Sequence, residues 1–266
     1  LQQVSLNLEL TPERIEIIHQ LQERPWYQAT SPFLQLELMT LPQSGRENHD
    51  GFLQDLVARP EEMGGITVLH LERLSRGNFG LVPIFRVRNA AGTEYTYEYF
   101  SWRYGSESGA KGIVFVENNG QLTHFIILRG EKFATGKLEW DLVGGFADLN
   151  VDGVSALMQR IAVEVKEELG LPELTIKRVV DFGPHLVDAG QTNNRPVLFA
   201  AVIDGSEAEH LSSQPVNPDQ FELRSGPVIF PISQLLELVK EIQDGMYRSA
   251  AILAIAHGLI DLRNQA

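Results

Sequence analysis

The run EWDLVGGFADLNVDGVSALMQRIAVEVKEELGL, from Glu139 to Leu171, constrains the fold more than any other part of this 266-residue chain. On a helix stepping 100° per residue from Val154, with Ile161 at zero, Val154, Met158, Val165 and Leu169 fall between about 20° and 80°. That is a coherent apolar stripe, so the segment is an amphipathic helix packed on a core. On the same count Glu164 falls near about −60°, Glu167 near about −120° and Glu168 near about −20°. A solvated face would lie opposite the stripe, where Gln159, Val163 and Lys166 sit. Glu168 instead borders the stripe.

Three carboxylates on one arc repel one another by a few tenths of a kcal/mol per like-charge pair. They also lie toward the helix C-terminus, where the macrodipole disfavours anions. A divalent cation would reverse both penalties, since hard cations such as Mg²⁺ take oxygen ligands and bridge to substrate phosphates. Spacing alone leaves a metal site and a salt-bridged or solvated face both open.

Composition narrows the partners. Net charge is −13 and no Lys/Arg block stands out, which excludes the broad basic footprint that nucleic acids require. The chain has no cysteine, so disulfide frameworks, thiol catalysis and cysteine-zinc sites are excluded. The seven histidines show no zinc spacing, and there is no G-x-S-x-G nucleophile motif. The segment LQQVSLNLELTPERIEII does not read as a signal peptide. The longest apolar stretch, around SAAILAIAHGLI, is too short to span a bilayer. A soluble, cytoplasmic protein is expected.

Along the chain, TPERIEIIHQLQERP predicts a helix with Thr11 as N-cap and Pro12 at its first position. SPFLQLELMTL alternates and reads as a strand. FLQDLVARPEEMGG predicts a second helix ending near Pro60. ITVLHLERLSRG, LVPIFRVRNAAG and TEYTYEYFSWRYG predict three strands separated by Gly-containing turns. The small, Gly-rich RYGSESGAKG, residues 103–112, is a joint. Beyond it IVFVE and LTHFIILRG form a hairpin across NNG. Strands follow at TIKRVVDFG, PVLFAAVID and PVIFPI, with a helical C-terminus from Ser233. The expected class is α+β: a small N-terminal α+β domain over 1–108, of unassigned role, and a mixed-sheet domain over 109–266.

The glutamate helix carries a resemblance. Glu164-Val165-Lys166-Glu167-Glu168-Leu169-Gly170-Leu171 is similar to the second half of the Nudix hydrolase signature, G-x5-E-x7-R-E-U-x-E-E-x-G-U. WDLVGG resembles the run before that signature in the ADP-ribose and sugar-nucleotide branch, with Gly145 in the first Gly slot. LELVKEIQDGMYRSAAILAIAHGL resembles that branch's C-terminal helix pair. The resemblance covers roughly 109–266. Two departures stand out: the signature Arg slot is Val163, and the first Glu slot is Ser155, with Gly145 four positions early. Arg160 falls inside the acidic arc and is placed to reach Glu164 at i+4, in the role of the missing Arg.

The resemblance implies a Nudix-type α/β/α sandwich and metal-assisted hydrolysis of a nucleoside diphosphate linked to another group. Glu164, Glu167 and Glu168 would hold Mg²⁺ or Mn²⁺, with the Gly144 backbone carbonyl as a further ligand. Glu222, with Asp219 as the fallback, would supply a late acid. Arg129 and Lys132 read either as phosphate or ribose contacts or as ordinary charges of an exposed turn. Trp140 reads either as a base-stacking ring or as a core tryptophan. The ligand class is a small nucleoside-diphosphate derivative, and a homodimer is plausible. The alternative is a decayed Nudix fold that binds a nucleotide-like ligand without hydrolysing it.

Overall fold

The structure, a computed structural model, describes residues 9–146, 149–211 and 225–261, with the side chains of residues 46 and 149–158 left out. The chain forms two compact units.

The first unit is built mainly from residues up to Ser108, with the loop Asp188–Asn194. Its helices are α1 (Pro12–Gln22), α2 (Pro25–Gln28), α3 (Pro32–Met39) and α4 (Asp50–Ala58). Thr11 caps α1 as expected, its hydroxyl accepting from the Arg14 amide at 3.2 Å. The strand expected over SPFLQLELMTL is instead α3. Ser31 caps it, accepting from the Leu34 amide at 3.4 Å, and Pro32 takes the first position. The alternation there was outweighed by a helix-start pair, Ser then Pro. Helix α4 starts before Phe52, at Asp50.

Five strands follow: β1 (Glu62–Met63), β2 (Ile66–Arg76), β3 (Gly80–Asn89), β4 (Glu94–Glu98) and β5 (Ser101–Trp102). They make an antiparallel sheet in the order β1-β2-β3-β4, with β5 on β3. The helices bury Trp26, Phe52, Leu53 and Leu56 against Leu71 and Phe85 of the sheet. Trp26 meets the Phe85 ring edge-on at 5.4 Å. Each such large side chain stabilises the fold by roughly 1.5–3 kcal/mol.

The second unit holds a six-stranded mixed sheet. Its elements are β6 (Ala110–Asn118), β7 (Gln121–Lys132), β8 (Lys137–Asp141), α5 (Leu149–Leu169), β9 (Ile176–Pro184), β10 (Val197–Asp204), α6 (Gly205–Ala208), β11 (Ser225–Pro231), α7 (Leu235–Glu241) and α8 (Gly245–Ala256). Strand order is β11-β7-β6-β10-β9, with β8 on the margin of β7. Among the described strands of this sheet only the β6–β10 pairing is parallel. The β6–β7 hairpin turns at Asn119 and Gly120, with φ of 51° and 77°. Two consecutive left-handed residues are what a two-residue hairpin turn demands, and Asn-Gly is the pair that adopts them most readily.

Ile113 and Phe115, Phe125 and Ile127, and Leu198, Ala200 and Val202 form one buried face with Leu235, Tyr247, Ala250 and Ala254 of α7 and α8. The alternate residues Val114, Val116, Ile126, Leu128, Phe199, Ala201 and Ile203 are equally buried. A period of two puts them on the opposite face. The expected stripe of α5 is buried at Ile161, Val165 and Leu169. Strand β8 was not foreseen. The C-terminus is the helix pair that the resemblance implies, broken at 242–244, where Asp244 caps α8 through the Tyr247 amide at 2.7 Å.

Candidate active site

The site begins at the backbone after β8. Residues 142–146 run beside the start of β6. The Gly112 amide donates to the Val143 carbonyl at 2.7 Å, the Val143 amide to Gly112 at 3.0 Å, and the Ala110 amide to Gly145 at 2.9 Å. Gly144 has a φ of 151°, and a Cβ there would sit 1.9 Å from the Ala110 carbonyl oxygen. Only glycine lets the two backbones approach this closely. Gly145 is glycine for a different reason: its Cβ would lie 2.3 Å from Oε1 of Glu164. The Gly pair is thus a cradle, one member shaped by backbone and the other by a carboxylate.

Helix α5 delivers two acids to this cradle. Glu168 Oε2 accepts from the Gly144 amide at 2.7 Å. The Glu164 side chain is 12% exposed, and its Oε1 receives Arg160 Nη2 at 2.6 Å. The Arg160–Glu164 contact foreseen from the i+4 spacing is therefore present. Glu167 is 49% exposed, with Oε2 4.0 Å from the same guanidinium nitrogen. Among the described residues no three His, Asp or Glu side chains converge as a ready metal set. Glu164 and Glu168 gather at the glycines, while Glu167 stands off toward solvent.

Behind the acids lies a cluster that sequence reading missed. Asp141, the last residue of β8, receives Lys111 Nζ at 3.1 Å and also Lys132 Nζ. Lys111 also donates to the Leu142 carbonyl at 3.3 Å. Burial alone would raise Asp141, but the two ammonium groups hold it below the usual carboxylate range. Burial likewise opposes the charge on Lys111, yet Asp141 and Glu168 hold its pKa above the ordinary lysine value. Glu168 is different. Its burial pushes the carboxyl up to about 8, although Lys111 and the Gly144 amide pull the other way, and Glu164 and Asp141 add to the rise. The site is short of positive charge at Glu168. The available signal for Lys111 was a lone cation opening the apolar run AKGIVFV; its pairing with Asp141 depends on a strand meeting that spacing does not reveal.

The remaining expected residues fall as follows. Arg129 and Trp140 are direct partners in the β7–β8 register, and the guanidinium lies 4.9 Å from the Trp140 ring centre. The same ring meets Phe230 edge-on at 5.3 Å and packs, half-buried, against the core beneath α7 and α8. Lys132 pairs with Asp141 and keeps part of its side chain exposed. Glu222 and Asp219 lie outside the described residues.

Among the described residues the donor set at the cradle is all oxygen, and its partly buried Glu168 carboxyl lacks a full counter-charge. Both properties suit a hard divalent cation and exclude a soft-metal site.

Comparison with known proteins gives a result at the level of fold. No family model matches the chain, and no curated protein matches it. Among solved structures, one described as "Crystal structure of ADP compounds hydrolase" is similar, with a TM-score of 0.51 and 16% sequence identity. The similarity covers 78% of this chain and 99% of that one. It therefore takes in more than residues 109–266, the span of the sequence resemblance. At this identity the likeness establishes the fold alone.

Proposed function

We propose that the chain is a Nudix-type α/β/α sandwich that hydrolyses a nucleoside diphosphate linked to another group, of the ADP-ribose or sugar-nucleotide kind, with Mg²⁺ or Mn²⁺. The observation that carries this reading is the placement of Glu164 and Glu168 against the Gly144–Gly145 cradle. A sheet buried on both faces and the likeness to an ADP compounds hydrolase structure support it.

Glu164 and Glu168 would hold the cation, with Glu167 and the Gly144 carbonyl completing the set. When bound, a divalent cation supplies positive charge to a diphosphate and acidifies a water. The chain's own groups set the stage for that chemistry. The Gly144 amide orients Glu168, and Arg160 orients Glu164. Lys111 and Lys132 hold Asp141 ionised, which keeps the β7–β8 margin locked beside the acids. Arg129, braced over Trp140, and Lys132 are the proposed substrate contacts. Glu222 is the proposed late acid.

The test is phosphate release, coupled to a phosphatase, from nucleoside-diphosphate compounds with Mg²⁺ or Mn²⁺. Metal-dependent turnover that falls at least about a hundredfold in Glu167→Gln, a loss of the several kcal/mol such a ligand supplies, is the expected result. Equal turnover in the variant would overturn the assignment. One observation favours a second reading, a binding module that does not hydrolyse: Glu167 stands away from the other two acids. Ligand-induced thermal stabilisation without turnover on any compound would select it.

A further inference from the structure

The first unit contains a polar cavity of about 300 Å³ lined by Pro42, Glu47, His49, Arg76, Gly77, Asn78 and Arg103. None of these residues has a role in the proposed hydrolysis. Two of them are arginines, on a chain whose net charge is −13. Among the described residues neither has a carboxylate within ion-pair distance. Arg103 is braced by the Asn78 carbonyl and by the Tyr104 hydroxyl at 3.2 Å, and its guanidinium lies 4.7 Å from the Tyr104 ring centre. Arg76, the last residue of β2, is exposed.

His49 supplies the chemical detail. It is 6% exposed, and its Nδ1 lies 2.6 Å from the Glu47 carbonyl oxygen. A carbonyl only accepts, so Nδ1 carries the proton, and in the neutral ring Nε2 is a bare acceptor. Burial first, and then Arg76, Arg103 and Arg14, push the imidazole below its ordinary value, against the Glu47 carbonyl. The ring is therefore neutral near pH 7. The cavity thus offers two guanidinium donors for anionic oxygens, with His49 and the Glu47 carboxylate as acceptors for a hydroxyl.

We propose that this cavity binds orthophosphate, which keeps a P–OH group at neutral pH, through Arg76, Arg103 and His49. Its P–O⁻ oxygens match the arginines, and its P–OH group donates to Nε2 of His49. Sulfate has the same size and shape but no proton to give at neutral pH, so it leaves the bare imidazole nitrogen facing a negative oxygen. The site does not depend on the hydrolase reading, because it uses none of the residues placed there.

The test is a calorimetric titration of the full chain in EDTA, so that no divalent cation can draw anions to the glutamates. The probes are orthophosphate, methyl phosphate and sulfate, with wild type, Arg76→Gln and Glu167→Gln. Phosphate binding at least about tenfold tighter than sulfate, the scale of one hydrogen bond to a charged group, is the expected result. Arg76→Gln weakens it about tenfold or more, and Glu167→Gln leaves it unchanged. Methyl phosphate, whose second pKa of about 6 leaves it largely without a P–OH at neutral pH, should bind as weakly as sulfate; methyl phosphate binding as tightly as orthophosphate would overturn the proposal. Sulfate binding as tightly as phosphate, or an unchanged affinity in Arg76→Gln, would overturn the proposal.

Discussion

Two carboxylates, the buried Asp50 in the first unit and the partly buried Glu168 in the second, live under opposite electrostatic rules. Asp50 pairs with Arg14, a side chain with no exposed surface. Arg14 also donates to the carbonyls of Leu41 at 2.7 Å and Pro42 at 2.9 Å. Every charge there has a partner, as a buried ion pair requires. Glu168 has one backbone donor and a lysine already shared with Asp141, and other acids raise it further. The first arrangement is complete without a ligand. The second would be completed by the proposed cation. This difference, more than the presence of buried charge, marks a site.

The contrast breaks most visibly in stability. Asp50→Ala strands the Arg14 guanidinium in the core and should cost about 3–5 kcal/mol, read from the urea midpoint. Glu168→Gln replaces an acid that is largely protonated at pH 7, and the amide oxygen still accepts from Gly144. Its stability should stay within about 1 kcal/mol of wild type.

The glycine pair sharpens the same contrast within the site. Gly145→Ala first meets the end of a flexible side chain, Glu164. The fold should survive while turnover falls about a hundredfold, the cost of displacing a reacting group by an ångström or so. Gly144→Ala meets the Ala110 carbonyl at 1.9 Å, a backbone atom that cannot move aside. It should lower the melting temperature as well as activity, measured together on the same preparation.

A smaller effect is expected at Arg160, which touches the acids without belonging to them. Arg160→Ala should weaken metal affinity about tenfold, the low end of losses for groups that orient ligands. Arg160→Lys should restore part of it. Unchanged affinity in the alanine variant would remove Arg160 from the site.

Smallest is a pH effect in the first unit. Asp55 accepts from the Ser106 amide at 2.7 Å, the Ser106 hydroxyl at 2.9 Å and Asn193 at 3.1 Å. Burial nevertheless raises its carboxyl above the usual value, and those hydrogen bonds offset only part of the rise. A folded pKa above the unfolded one means the native state holds the proton more tightly. Stability contributed by Asp55 is then present at low pH and declines as pH rises from the ordinary aspartate value through the raised one. Asp55→Asn should flatten that slope in denaturation curves across the acidic range.

What the sequence discloses follows from how local the cause is. The cap of α1, the Asn119-Gly120 hairpin and the stripe and acidic arc of α5 are set by neighbours within a few residues, and all can be read. The Arg160–Glu164 pair is readable for the same reason. SPFLQLELMTL misleads because its alternation mimics a strand, while the deciding signal is the two-residue Ser31-Pro32 start. Strand β8 hides because KLEWD carries three charges in five residues and gains its identity from pairing with β7. The Lys132–Asp141 pair and the Arg129–Trp140 stack arise from that same register, Lys111 reaches Asp141 from β6, and the loop Asp188–Asn194 meets the chain at Phe100. Contacts made across a register leave no local trace.

The most direct test of the central claim is Mn²⁺ titration followed by electron paramagnetic resonance, comparing wild type with Glu164→Gln and Glu168→Gln. Saturable binding to the wild type, weakened at least about tenfold in each variant, is the predicted result. No binding to the wild type, or the same binding in all three proteins, would contradict the claim that the carboxylates at the Gly144–Gly145 cradle form a metal site.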